Sequence, residues 1–213
     1  VVKIPNWVYT IMNVKGDKQK LLKFQKFAKA NPHKGEKEVL DMNNPNEEEM
    51  VLDMNKFIPY PKEFEEQDEK ARKHERKMQE LKENAKTDKI AKKELERIET
   101  LAELNDESAY RIDDGYNNGG YSWCSTNWGT KWNFCDSYLR DESGESELSY
   151  SFQTAWNFPT PIALKMSKMF PTLEFEWCSE EESRAFNVIV TFEGGKEIDS
   201  VDIPFEDDDE EDE

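Results

Sequence analysis

Apolar and polar residues first alternate with a period of two along this chain and then shift to a period near 3.6. Residues 6–14, Asn-Trp-Val-Tyr-Thr-Ile-Met-Asn-Val, are rich in β-branched and aromatic side chains and read as a strand. Alternation places Trp7, Tyr9, Ile11 and Asn13 on one side and Val8, Thr10, Met12 and Val14 on the other. Lys15-Gly16-Asp17 is a turn, with Asp17 suited to cap a helix. Leu21, Phe24, Phe27 and Ala28 then recur at helical spacing, predicting a helix over 18–30 that Asn31-Pro32 ends. Val39-Leu40-Asp41-Met42-Asn43 recurs as Val51-Leu52-Asp53-Met54-Asn55, and both copies are expected as strands around an Asn43–Asn46 turn. Five residues are too few to build a repeat architecture. The second copy runs into Phe57-Ile58-Pro59-Tyr60-Pro61, where the prolines stop it.

Residues 62–104 change character. No Gly or Pro occurs between Pro61 and Gly115, and the stretch holds 13 acids and 12 bases. Ala91, Leu95, Ile98 and Ala102 make a narrow apolar stripe, with Leu101 beside it. This reads as a charged helical insertion. Either Thr87 or Asp88 caps a second helix to give a hairpin, or one long helix runs through. It is a solvated face laced with i,i+4 charge pairs, or a coiled-coil arm that meets a partner.

Beyond it, Gly115–Asn133 is dense in Gly, Asn and Trp. Residues 134–140 and 148–155 read as strands joined at Ser143-Gly144. Pro159 and Pro161 open a short helix carrying Ile162, Leu164, Met166, Met169 and Phe170, closed by Pro171. Residues 172–178 and 185–192 are two further strands, and Gly194-Gly195 is a turn. Without the insertion the order is strand, helix, strand, then strand, helix, strand, with strands appended. That is an α+β, ferredoxin-like split βαβ pattern. It predicts one sheet uniting 6–14, 51–58, 148–155 and 172–178, with helices 18–30 and 161–170 on one face. The domain spans 1–205, interrupted at 62–104, and 206–213 form an acidic tail.

Several blocks of residues sharpen this. They are Pro5-Asn6-Trp7-Val8, Phe57-Ile58-Pro59-Tyr60-Pro61, Trp123, Asn127-Trp128-Gly129-Thr130-Lys131-Trp132-Asn133, and Phe152-Gln153-Thr154-Ala155-Trp156 ahead of Pro159 and Pro161. In this order they resemble the YubB-type ferredoxin-like family of phage and plasmid proteins, from about residue 5 to 193 apart from the insertion. The resemblance implies the fold and a mobile-element origin. It implies no catalytic residue set.

Charge narrows the function classes. Acids outnumber bases 47 to 29, a formal charge of −18, and such a field repels nucleic acid and anionic membranes. Cys124, Cys135 and Cys178 are odd in number and lack CxxC spacing, which fits a reducing cytoplasm, here that of a bacterial host. His33 and His74 do not cluster with other metal ligands. Neither a signal-peptide pattern nor a membrane-length apolar run is present, and GxxxxGK[ST], GxSxG and HExxH are absent. No cofactor is expected.

The leading expectation is a non-enzymatic, acidic interaction protein that binds a basic protein surface. One such surface is the nucleic-acid groove of a host defence nuclease, where carboxylates would stand in for phosphates. The terminal run Glu206, Asp207, Asp208, Asp209, Glu210, Glu211, Asp212 and Glu213 is the candidate acidic contact. The alternative is a nucleotide or single-strand nucleic-acid module in which Trp128, Lys131 and Trp132 form a stacking platform. Against it, the same block serves structure if the indoles fill the core and Gly129 makes a turn. An enzyme of unknown chemistry is a third reading.

Overall fold

The computed structural model describes residues 6–29, 51–103, 113–141 and 143–205. The first repeat copy, its turn, Asn31-Pro32 and the acidic tail lie outside the described residues. The chain forms two compact units, Tyr60–Trp123 and the remainder.

The larger unit is a six-stranded antiparallel sheet in the order β2-β3-β1-β4-β5-β6. Its strands are β1 (Trp7–Lys15), β2 (Cys135–Leu139), β3 (Glu147–Ala155), β4 (Glu174–Glu181), β5 (Asn187–Glu193) and β6 (Lys196–Asp202). β1 is central and pairs along its length with β3 and β4, setting Ile11 opposite Ser151 and Cys178. Helix α1 (Lys18–Ala28) connects onward from β1, and α5 (Thr160–Met169) connects β3 to β4. Strands β2-β3-β1-β4 with these two helices are the ferredoxin-like arrangement, and β5 and β6 extend its sheet.

Both helices cover one face, as the sequence pattern predicts. Asp17 caps α1, accepting from the Gln19 and Lys20 amides at 2.9 and 3.4 Å. Leu21, Phe24 and Ala28 face inward. Phe24 meets Tyr150, Phe175 and the Phe170 ring that ends α5, with ring centroids 5.2–6.0 Å apart. α5 buries Ile162, Ala163 and Met166. The matching side of β1 is Val8, Thr10, Met12 and Val14, all buried, so its other side is left without a helix from this unit.

Residues 51–58 are not a strand. Asp53 accepts from the Asn55 amide at 2.9 Å and folds Met54–Lys56 into a 3₁₀ turn. The Met54 amide bonds to the Asn133 side chain at 2.9 Å instead of a strand ladder. Leu52, Met54 and Phe57 still fill the core. Apolar spacing was right about burial, while Asp-Met-Asn, poor in strand propensity, set the local geometry. The second strand of the split βαβ is therefore β2, which the sequence pattern had placed among the appended strands.

The smaller unit contains α2 (Lys62–Asn84) and α3 (Lys89–Glu103), so the insertion is a hairpin and not one long helix. Asp88 caps α3 through the Ile90 amide at 2.8 Å. Within one turn of each other, Glu69 pairs with Lys73, Lys92 with Glu96 and Glu94 with Arg97. The helical α4 (Tyr121–Asn127) leads toward β2.

Candidate functional site

The side of the sheet away from α1 and α5 carries no helix of the larger unit, and strand register specifies what lies on it. Tyr138, Ser151, Ile11, Cys178, Ile189 and Val201 stand in one row across all six strands. Ile11, Tyr138 and Val201 are 36%, 56% and 45% exposed, and Tyr9, two residues along β1, is 47% exposed. The result is a largely apolar band perpendicular to the strands, interrupted by Ser151 between Tyr138 and Ile11. The next row is polar: Ser149, Asn13, Glu176, Thr191 and Asp199. Beyond it lie Glu147, Lys15 and Glu174, and on the other flank Glu180 is paired with Tyr9.

Carboxylates dominate the Asn13 flank, where Glu147, Glu174, Glu176 and Asp199 lie, while the Tyr9 flank carries Glu180. Lys15 is already engaged, its Nζ 3.2 Å from Glu176 and 3.6 Å from Glu174. Asn13 donates to Glu176 at 3.2 Å and accepts from the Ser149 hydroxyl at 2.8 Å. Those contacts, the Asn13 bond first, hold the Glu176 carboxyl below the usual glutamate range, so it stays ionised at neutral pH. A shallow hollow of about 350 Å³ opens here between Ile11, Asn13, Arg140, Glu147, Ser149 and Cys178. Burial, reinforced by Glu176, pushes the Cys178 thiol up, and burial does the same to Cys135. Both therefore stay protonated at neutral pH and are poor nucleophiles.

The Asn127–Asn133 block is separate from this band and is built as a clasp. Trp128 is buried, and its indole N–H donates to the Ile58 carbonyl at 2.7 Å, fastening the 51–58 turn to the sheet. Gly129 has φ +81°, and a Cβ there would sit 2.8 Å from the Pro161 ring. The buried Thr130 hydroxyl bonds both backbone groups of Ala155, donating at 2.9 Å and accepting at 3.1 Å. Asn133 bridges Met54 and Asp53. Trp132 is half-buried, edge-on to Trp7 at 6.1 Å. The Lys131 ammonium lies 3.5 Å from the Trp156 ring centroid and 6.0 Å from that of Trp132. Of the three sequence candidates, Trp128 is thus a core residue, while Lys131 and Trp132 border a surface cluster with Trp7 and Trp156.

In the helical unit, a cleft of about 750 Å³ runs along α2 past Asp68, Arg72, His74, Met78, Lys82 and Tyr116. Its charges are mixed and select neither sign of ligand. No group of three or more His, Cys, Asp or Glu among the described residues is arranged to hold a metal. No helix among the described residues is long and apolar enough to cross a membrane.

The sheet order and the clasp sit within, or against, a segment that matches a known family model. Residues 127–213 match the ferredoxin-like domain in Api92-like protein. The matched segment holds β2–β6 and α5, so it supplies all of the sheet except the central β1. No curated protein matches the chain. One solved structure, of a protein api92 from Yersinia pseudotuberculosis, aligns at 15% identity with a TM-score of 0.36. That alignment covers 40% of this chain and 30% of the other, so the chain spans under a third of that protein's length. The match to the Api92-like domain agrees with the ferredoxin-like architecture read from strand order.

Proposed function

We propose that this chain is an interaction protein whose acidic sheet face receives a basic protein surface. The observation that supports it best is the sheet face away from α1 and α5. Glu147, Glu174, Glu176, Glu180 and Asp199 occupy it by strand register, and Lys15 is neutralised by two of them. The formal charge of −18 extends the same field over the rest of the chain. Such a surface draws in Lys- and Arg-rich partners and repels phosphate backbones. The likeness of the sequence blocks to YubB-type proteins of phages and plasmids supports a host defence nuclease as a partner, its nucleic-acid groove occupied by carboxylates. The terminal acidic run would steer the encounter.

The alternative of a nucleic-acid module on the Asn127–Asn133 block is less well supported, because Trp128 is consumed by the core and Lys131 already lies over Trp156. The test is surface-plasmon kinetics of the immobilised chain against a Lys/Arg-rich peptide and a single-stranded oligonucleotide over a salt series. Binding of the peptide that weakens steeply with salt is expected. Salt-independent peptide binding, or preference for the oligonucleotide, overturns the proposal.

A further inference from the structure

The acidic face does not explain its own centre. A face evolved only for solubility or long-range attraction has no use for exposed Ile11 and Val201 and half-buried Ile189 in line with Tyr138, and apolar side chains gathered in one patch mark contact surfaces. We infer that this band is a docking track for a basic amphipathic helix of a partner protein, laid across the strands. The inference rests on the reading of the face as acidic and partner-binding, and it specifies the partner's element.

Three physical arguments select a helix. First, the band crosses six strands, hence five spacings of about 4.8 Å, or roughly 24 Å; at about 1.5 Å per residue that is the length of a helix of about 16 residues. Second, the backbone groups of the central strands are spent on their neighbours, so an extended peptide lying on the face would leave its own amides and carbonyls without partners. A helix satisfies these groups internally. Third, the flanks are complementary to such an element: apolar residues of the helix would meet Ile11, Ile189 and Val201. Lysines or arginines bordering that stripe would reach Glu176 and Asp199 on one side and Glu180 on the other. A second copy of this chain is disfavoured as occupant, because it would set the same carboxylates against each other.

The experiment uses the full chain and two synthetic peptides of identical composition. One has Leu and Ile on one helical face bordered by Lys and Arg; the other is a scramble in which that periodicity is destroyed. The amphipathic peptide is expected to bind at least about tenfold more tightly, with amide shift changes at Ile11, Ile189 and Val201. The decisive variant is Ile11→Glu, with Val201→Glu on the exposed edge strand as a second, each checked for an unchanged circular dichroism spectrum. Each adds a negative charge, so a purely electrostatic surface would hold a basic peptide more tightly, whereas the docking track predicts a loss of about tenfold or more. Equal binding of the two peptides, or a gain on Ile11→Glu and Val201→Glu, overturns the track while leaving the acidic-surface reading intact. Failure of both peptides to bind, or preference for an oligonucleotide, overturns both.

Discussion

Thr130→Val isolates what the clasp contributes. Valine nearly matches threonine in volume, so the packing around this buried position is conserved while the hydroxyl is lost. β2 pairs with β3 only as far as Gln153, and beyond that point the Thr130 hydroxyl serves both the N–H and the C=O of Ala155. Ala155 is itself buried, so the substitution strands two backbone groups away from water. Each such group costs about 1–3 kcal/mol, so the pair is expected to cost about 2–6 kcal/mol. Thr130→Ser keeps both bonds and loses one methyl, for about 1 kcal/mol. Urea unfolding followed by tryptophan fluorescence measures the difference, since five of the six tryptophans lie in the sheet unit. With a slope of about 2–3 kcal/mol per molar urea, a loss of about 3 kcal/mol moves the midpoint down by roughly 1–1.5 M. If Thr130→Val unfolds no earlier than Thr130→Ser, the hydroxyl is not the fastening and the account of the clasp fails.

Three further outcomes follow from single contacts. Tyr150 buries a hydroxyl with no hydrogen-bond partner among the described residues, and burial pushes its pKa well up, so Tyr150→Phe is expected to hold or raise stability by about 1 kcal/mol in the same urea assay; a clear loss would show a hidden partner. Gly129→Ala meets both a left-handed φ and the Pro161 ring, whereas Gly194→Ala meets a left-handed φ in open space; the first should lower the melting midpoint distinctly more than the second. Glu181 accepts from the Ser183 hydroxyl and amide and the Ala185 amide, and the Ser183 hydroxyl bond chiefly depresses its pKa. Its contribution is therefore fully present above the ordinary glutamate value of about 4.3 and lost as pH falls through the depressed value. The stability gap between the wild type and Glu181→Gln should shrink over that acidic window, and a gap that is constant with pH contradicts the assignment.

Local pattern reported the strands and helices well where one face is apolar. β1, α1, β3, α5, β4 and β5 all fall on segments whose periodicity was visible. The failure at 51–58 has a local cause, since Asp53 bonds its own backbone two residues on and competes with a ladder. β6 was not anticipated because Lys-Glu-Ile-Asp-Ser-Val-Asp is exposed at every position and offers no buried face to reveal a period. The band was illegible for a different reason. Both sides of β1 contain large apolar groups, so its sequence does not say which side meets the helices. Thr10 goes inward because it finds the Ser179 hydroxyl at 2.9 Å, while Ile11 goes outward between Ser151 and Cys178. The band exists only through pairing of residues far apart in the chain. The clasp was half legible: Gly129 as a turn and Trp128 as core follow from residue type, but the reach of Trp128 to Ile58 does not.

Topology explains why neither crossover helix covers this face. In a split βαβ sheet the two crossovers share one handedness, so α1 and α5 must lie on the same side. The hairpins joining β2 to β3, β4 to β5 and β5 to β6 are too short to cross back over the sheet. Neither crossover helix can reach the outer face, and alternation then fixes what that face displays. A one-residue slip of β1 would exchange Ile11 for buried Met12 or Thr10 and destroy band and core together. The register irregularities are confined to the β2–β3 and β5–β6 pairings, outside the unbroken ladders on either side of β1. Ile11 and Cys178 thus lie on unbroken ladders, whereas Tyr138 and Val201 sit on strands whose pairing contains a register shift. The middle of the band is therefore the part whose side-chain positions the pairing specifies most fully.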